Sequence, residues 1–149
     1  MTPRILAIVL SALLPVSVWA ADGTATAEAA LIHPAGDTEL STFLWINRPI
    51  IVFADTPADP RFQEQLDKLT SEAERLRDRD VVVLTDTDPS ARNPARQQLH
   101  PRGFQFVLID KDGSVMLRKP FPYSVREITR TIDKTPMRLR EVEERRESQ

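Results

Sequence analysis

The 149-residue chain contains no cysteine. This absence excludes disulfides, thiolate nucleophiles, thiol–disulfide exchange, cysteine-based peroxide reduction and cysteine-ligated metals. It also removes cysteine usage as an indicator of compartment. Glycine is scarce, with four residues in all, and neither a Gly-rich phosphate loop nor a Gly-x-Ser-x-Gly nucleophile elbow occurs. The two histidines, His33 and His100, lie far apart in sequence, so the pattern predicts no metal centre, and no cofactor motif is present. Neither charge dominates: 20 Lys and Arg face 22 Asp and Glu. Basic residues are interleaved with carboxylates along most of the chain, which argues against a nucleic-acid partner.

No apolar run reaches the roughly 18 residues of a spanning helix. The nearest approach is Ile5 to Leu14, preceded by Arg4 and followed by Pro15, Ser17 and an ending with small residues at Val18 and Ala20. That order predicts an export signal at residues 1–20, cleaved after Ala20, and hence a periplasmic or secreted protein with no transmembrane segment after cleavage; an uncleaved anchor is the alternative. Cleavage removes one charge, Arg4, and moves the net charge from −2 to −3. Residues 21–36, rich in Ala and Thr without a sustained period, read as a flexible lead-in.

The remaining length suits one domain, assigned to residues 37–135, with a polar helix or tail over 136–149. Leu40, Phe43 and Leu44 predict a short helix ending near Trp45. Ile50 to Ala54 is a continuous β-branched and aromatic run, as expected of a central strand covered on both faces. Asp59-Pro60 provides an N-cap and a proline at the first helical position. Phe62, Leu66, Leu69, Ala73 and Leu76 then mark one face of a helix. Val81 to Leu84 is a second parallel strand, and Asn93-Pro94 starts a short helix ending at Leu99. Phe104 to Ile109 turns at Asp110 to Gly113 into Val115 to Leu117, a hairpin. Ser124 and Glu127 form a capping-box pattern before a helix with Val125, Ile128 and Ile132 on one face. The sum is an α/β protein of three layers, with a four-stranded mixed sheet in β-α-β-α-β-β-α order plus N-terminal and C-terminal helices.

Thioredoxin-like domains have this plan. The phrases Phe43 to Pro49 (FLWINRP), Asp59 to Gln63 (DPRFQ), Ile109 to Gly113 (IDKDG) and Asp133 to Arg138 (DKTPMR) resemble the bacterial domain-of-unknown-function 4174 family, over roughly residues 38–147. The resemblance implies a thioredoxin-like fold in an exported protein, with distant relatives among vertebrate extracellular-matrix and sushi-repeat proteins. It implies no assigned activity.

In redox-active members of the fold the attacking cysteine lies after the first central strand, at a helix N-terminus. Here Ala58 and Arg61 fall near the usual cysteine pair, and a peroxiredoxin-like register puts Asp59 at the attacking position. Neither register supplies a thiol, and the place of the fold's cis-proline holds Phe104-Gln105, with Pro101 too early. What remains is a cleft between two loops, with Thr56, Asp59, Arg61, Arg102 and Gln105 as candidate ligand-binding residues and none assigned as catalytic. An anion or carboxylate at the helix start is one use of these groups, and simple capping by Asp59 is the other.

Arg92, Arg96 and His100 recur every four residues near Arg102. They read either as a basic stripe for an acidic partner or as a solvated face balanced by Asp86 and Asp88. Asp110, Asp112 and Gly113 match the first positions of a calcium loop, but Phe121 stands where its late glutamate belongs, so a hairpin turn accounts for them. Met137, Leu139 and Val142 form an incomplete apolar face in the tail, fit for the domain's own core or for a partner. The expected function is an exported, redox-inactive binding module whose ligand, a protein or a small molecule, is open. The alternatives are a non-thiol enzyme using Thr56, Asp59, Arg61 and Arg102, and a structural envelope protein acting through its tail.

Overall fold

A computed structural model describes residues 31–149. The expected export signal and residues 21–30 of the lead-in lie outside the described residues. The chain forms β1 (Ile32–Pro34), a 3-10 turn (Leu40–Phe43), β2 (Arg48–Phe53), α1 (Pro60–Ser71), α2 (Ala73–Arg77) and β3 (Val81–Asp86). A second 3-10 turn (Pro89–Ala91) and α3 (Pro94–Leu99) lead to β4 (Gln105–Ile109), β5 (Val115–Lys119), α4 (Val125–Asp133) and α5 (Pro136–Glu147).

The sheet order is β1-β3-β2-β4-β5. β3 runs parallel to both β1 and β2, while β4 is antiparallel to β2 and β5. Continuous apolar character in β2 reflects burial on both faces: Ile50, Ile51, Val52 and Phe53 are wholly inaccessible. Successive side chains point to opposite faces. Ile50, Val52, Val83, Phe106 and Leu108 therefore pack with Phe62, Leu69, Leu76, Ile128 and Ile132. Ile51, Phe53, Leu84, Val107 and Ile109 pack on the other face with Leu40, Ala95 and Leu99. Burying each such large side chain contributes about 1.5–3 kcal/mol, so this strand is the centre of the fold's stability. The βαβ unit and the hairpin appear as the sequence predicts.

Five strands replace the predicted four. The added strand, Ile32–Pro34, lies within the stretch assigned to the lead-in, with Ile32 paired to Val83 and Pro34 to Thr85. Three residues at a sheet edge, two of them exposed, carry too short a pattern to register as a strand. The predicted Thr38 to Trp45 helix is a single 3-10 turn, after which Trp45 takes a left-handed φ of 64°. The long helix from Pro60 is divided at Glu72, whose φ of −125° and ψ of 33° leave the helical region. Pro49, which precedes the Ile50 to Ala54 strand expected from the sequence, lies inside β2. It precedes Ile50, where the pairing with β4 begins, so its missing N–H takes no bond from that ladder. In the hairpin, Gly113 holds φ 86°, a conformation that favours glycine, and a Cβ there would lie 3.0 Å from the tip of the Leu44 side chain, which would have to shift.

The terminal segment, expected to be peripheral and fraying, is a helix through Glu147. It docks chiefly through charge, with Met137 and Val142 of its apolar stripe only half-buried. Leu139 is 60% exposed while Arg138 is buried.

Candidate functional site

The parallel strands β2 and β3 end side by side, with Phe53 paired to Asp86. In open α/β sheets this carboxyl-end crevice is where ligands bind. The loop after β2 and the loop before β4 meet there: a Cβ placed on Gly103, which has φ 61°, lies 3.8 Å from Asp55 Oδ2.

Thr56 Oγ1 accepts from the Ala58 amide at 3.3 Å and stabilises the loop locally. Asp59 caps α1 as predicted, its Oδ1 accepting from the Arg61 amide at 2.9 Å. The same carboxylate pairs with the Arg61 guanidinium at 2.9 Å. The side-chain hydrogen bond from Arg61 lowers the Asp59 pKa and in return raises that of Arg61. An aspartate held ionised in this way is a poor proton acceptor. The Arg61 guanidinium also lies 5.3 Å from the centre of the Phe104 ring, which connects the two loops through a cation–π contact. Gln105 turns its polarity toward the hairpin, its Oε1 accepting from Arg118 at 2.9 Å. Of the five candidate residues, Asp59 and Arg61 form a pair, Thr56 and Gln105 are bonded to neighbours, and Arg102 belongs to an adjoining groove.

That groove has a volume of about 450 Å³ and is lined by Pro89, Arg92, Arg96, Gln97, His100 and Arg102, together with Pro101. The four-residue spacing brings the cations together, but by a different geometry from one helical face. Arg96 alone lies within α3; Arg92 and His100 flank it, each in a left-handed conformation with φ of 47° and 49°. Arg96 is fixed by Asp86 at 2.8 Å, by the Ala54 carbonyl at 3.3 Å and by the Phe53 ring at 5.3 Å. Asp86 is buried and also accepts from Asn93 Nδ2 at 2.7 Å. Asn93 in turn accepts from the Arg96 amide at 2.9 Å as the cap of α3. Asp86 thus neutralises Arg96, whereas the side chains of Arg92, His100 and Arg102 have no hydrogen-bonding or ionic partner among the described residues.

A second polar cluster, which the sequence reading did not anticipate, lies at the opposite pole of β2. Arg48 is completely buried. It donates to Asp110 at 2.8 Å, to the Arg79 carbonyl at 3.0 Å and to both carboxylate oxygens of Glu141 at 2.9 and 3.1 Å. Lys111 joins Glu141 at 3.0 Å and Asp80 at 2.8 Å. Arg138 reaches Asp78 at 3.1 Å, while its buried Nε makes no hydrogen bond and lies 3.8 Å from Asp133. Three of the four family-like phrases meet here, contributing Arg48, Asp110, Lys111, Asp133 and Arg138. Their place in those family-like phrases was the signal available in sequence. The cluster is internally satisfied except at that Nε, and it acts as the dock for α5. Among the described residues no group of three or more His, Asp or Glu is arranged to hold a metal ion, and no helix is long and apolar enough to cross a membrane.

A family model described as a domain of unknown function, DUF4174, matches residues 39–141. No curated protein matches the chain. Among solved structures, the reduced 2-Cys peroxiredoxin of Plasmodium vivax is similar at 16% identity and a TM-score of 0.51, covering 63% of this chain and 80% of that one. The mitochondrial 2-Cys peroxiredoxin of Plasmodium falciparum is similar at 17% identity and a TM-score of 0.44, covering 64% and 79%. The first of these identifies the fold as thioredoxin-like.

Proposed function

The chain belongs to the DUF4174 family of domains of unknown function, and from that premise we propose that it is an exported, redox-inactive, thioredoxin-like binding module whose recognition surface is the carboxyl-end face of β2 and β3. The observation that carries this reading is the state of the cleft. The residue in the peroxiredoxin-like attacking register, Asp59, is engaged by Arg61 and by its own helix amide, and no thiol exists to replace it. The neighbouring groove meanwhile holds cations, Arg92 and Arg102, without partners among the described residues, a surface suited to recognition. Export rests on the N-terminal sequence pattern, Arg4 followed by Ile5 to Leu14 and the Val-x-Ala ending.

A second reading has its own observation. Trp45 and Ile46 are 69% and 63% exposed, and Trp45 lines a shallow groove with Met137 of α5, whose Leu139 is also exposed. This fits an envelope protein acting through its tail. A photo-crosslinker at Ala58 and another at Leu139, in the native host, separate the readings. A discrete adduct at Ala58 is expected, and one at Leu139 alone moves the function to the tail. Substrate turnover by the purified protein, lost in Asp59→Asn, replaces both readings with the non-thiol enzyme.

A further inference from the structure

We propose that the groove around Arg92, Arg96, His100 and Arg102 binds a phosphate monoester. This inference rests on the carboxyl-end face being the recognition surface, and it names the ligand class.

Charge decides the class. Arg96 is paired with Asp86, and of the other carboxylates nearby Asp88 accepts from the amide and hydroxyl of Ser90 at 2.9 and 2.6 Å while Asp55 lies beside Gly103. Among the described residues neither Arg92 nor Arg102 forms an ion pair with any of these carboxylates, so two guanidinium forks line the groove unengaged. A phosphate monoester presents three terminal oxygens and can accept from both forks at once, whereas the two oxygens of a carboxylate are filled by one. Guanidinium groups offer paired N–H donors in a fixed fork that fits phosphate oxygens. The His100 ring adds a donor or an acceptor at the same rim. Among the described residues Arg96 donates through Nε and Nη2 and makes no hydrogen bond through Nη1, so the anchored cation retains donor capacity.

Shape decides the rest. A groove of about 450 Å³ exceeds the needs of a bare phosphate, leaving room for an esterified group against the rings of Pro89 and Pro101. Arg92 and His100 are held in left-handed backbone conformations that glycine adopts more readily. The positions nevertheless carry a long cationic side chain and an imidazole, and those two conformations set them at either end of α3.

The test is an amide chemical-shift titration of the purified protein at constant ionic strength, with glycerol 3-phosphate, inorganic phosphate and acetate as probes. Saturable shifts confined to residues 89–102 are expected, with glycerol 3-phosphate binding at least tenfold tighter than acetate. The double variant Arg92→Gln/Arg102→Gln should weaken that binding tenfold or more while the rest of the spectrum is unchanged, because both side chains are exposed and unbonded. Sedimentation with phosphatidic acid vesicles, against phosphatidylcholine, separates a lipid headgroup from a soluble phosphoester as the source. Unsaturable shifts equal for phosphate and acetate, or a double variant that binds as tightly as the parent, overturn the proposal. Failure of the titration together with a discrete adduct at Ala58 overturns this inference alone. Failure of both removes the reading beneath it.

Discussion

Arg48 and Glu141, 93 residues apart, form a bidentate ion pair in which the guanidinium is completely buried. The pair closes the C-terminal helix onto the start of the central strand. Removing one partner of a buried charge pair leaves the other desolvated and unmatched, at a cost of about 3–5 kcal/mol. Arg48→Met is therefore expected to destabilise the fold by about that amount, read as a lowered urea midpoint with an unchanged slope. A loss below about 1 kcal/mol would show that the cluster does not hold α5 in place.

Acid should loosen the same junction. Burial works to raise the Glu141 pKa, but the hydrogen bonds and charges of Arg48 and Lys111 outweigh it and bring the pKa from 4.5 down to about 2. A carboxylate whose folded pKa lies below its unfolded one contributes stability that is present above the unfolded value and is lost as pH falls through the folded one. Stability is expected to decline between about pH 4.5 and pH 2. Glu141→Gln should be less stable at pH 6 and show a shallower decline across that window, with urea midpoints at each pH as the readout.

The cap of α3 anchors the floor of the basic groove. Asn93 accepts from the Arg96 amide and donates to buried Asp86. Loss of a cap costs about 0.5–2 kcal/mol, and a weakened buried carboxylate adds to it. Asn93→Ala is expected to cost about 2–3 kcal/mol by thermal or urea unfolding and to weaken phosphoester binding with it. A variant stable to within 0.5 kcal/mol of the parent contradicts this account.

Two apolar side chains near the C-terminus should respond in opposite ways. Leu139 is 60% exposed, whereas Ile132 is fully buried in the core beside Ile128. Leu139→Glu is expected to change stability by less than about 0.5 kcal/mol, and Ile132→Ala to cost about 2–5 kcal/mol. Comparable losses at both positions would mean that α5 docks by its apolar stripe after all.

Features bonded within a few residues were legible in sequence. Asp59 before Pro60, Asn93 before Pro94, Thr135 before Pro136 and Ser124 before Val125 each cap the helix expected of them, because an N-cap is closed by an amide two or three positions on. In one detail the capping box departs from its pattern: the Glu127 carboxylate meets the Ser124 hydroxyl at 3.2 Å. The strand β1 escaped detection because three residues offer no period. The division of the long helix at Glu72 was hidden because Ala73 and Leu76 continue the apolar spacing across it. For the candidate site, four-residue spacing correctly grouped Arg92, Arg96 and His100. It could not show that the first and last lie off the helix in left-handed conformations, since that depends on how the chain enters and leaves α3.

The sequence by itself determined the exclusion of thiol chemistry, the continuous apolar strands, the capped helices and the hairpin turn at Gly113, all of which follow from composition or from contacts between near neighbours. Only the tertiary structure decided that Arg48 would face Asp110 and Glu141, that Asp86 would neutralise Arg96 and leave Arg92 and Arg102 unmatched, and that the tail would dock by charge with Leu139 turned outward. The physical reason is one of range. Backbone caps and β-branched runs act over a turn or a strand, whereas the worth of a charge depends on which partners and how much water the folded chain brings to it.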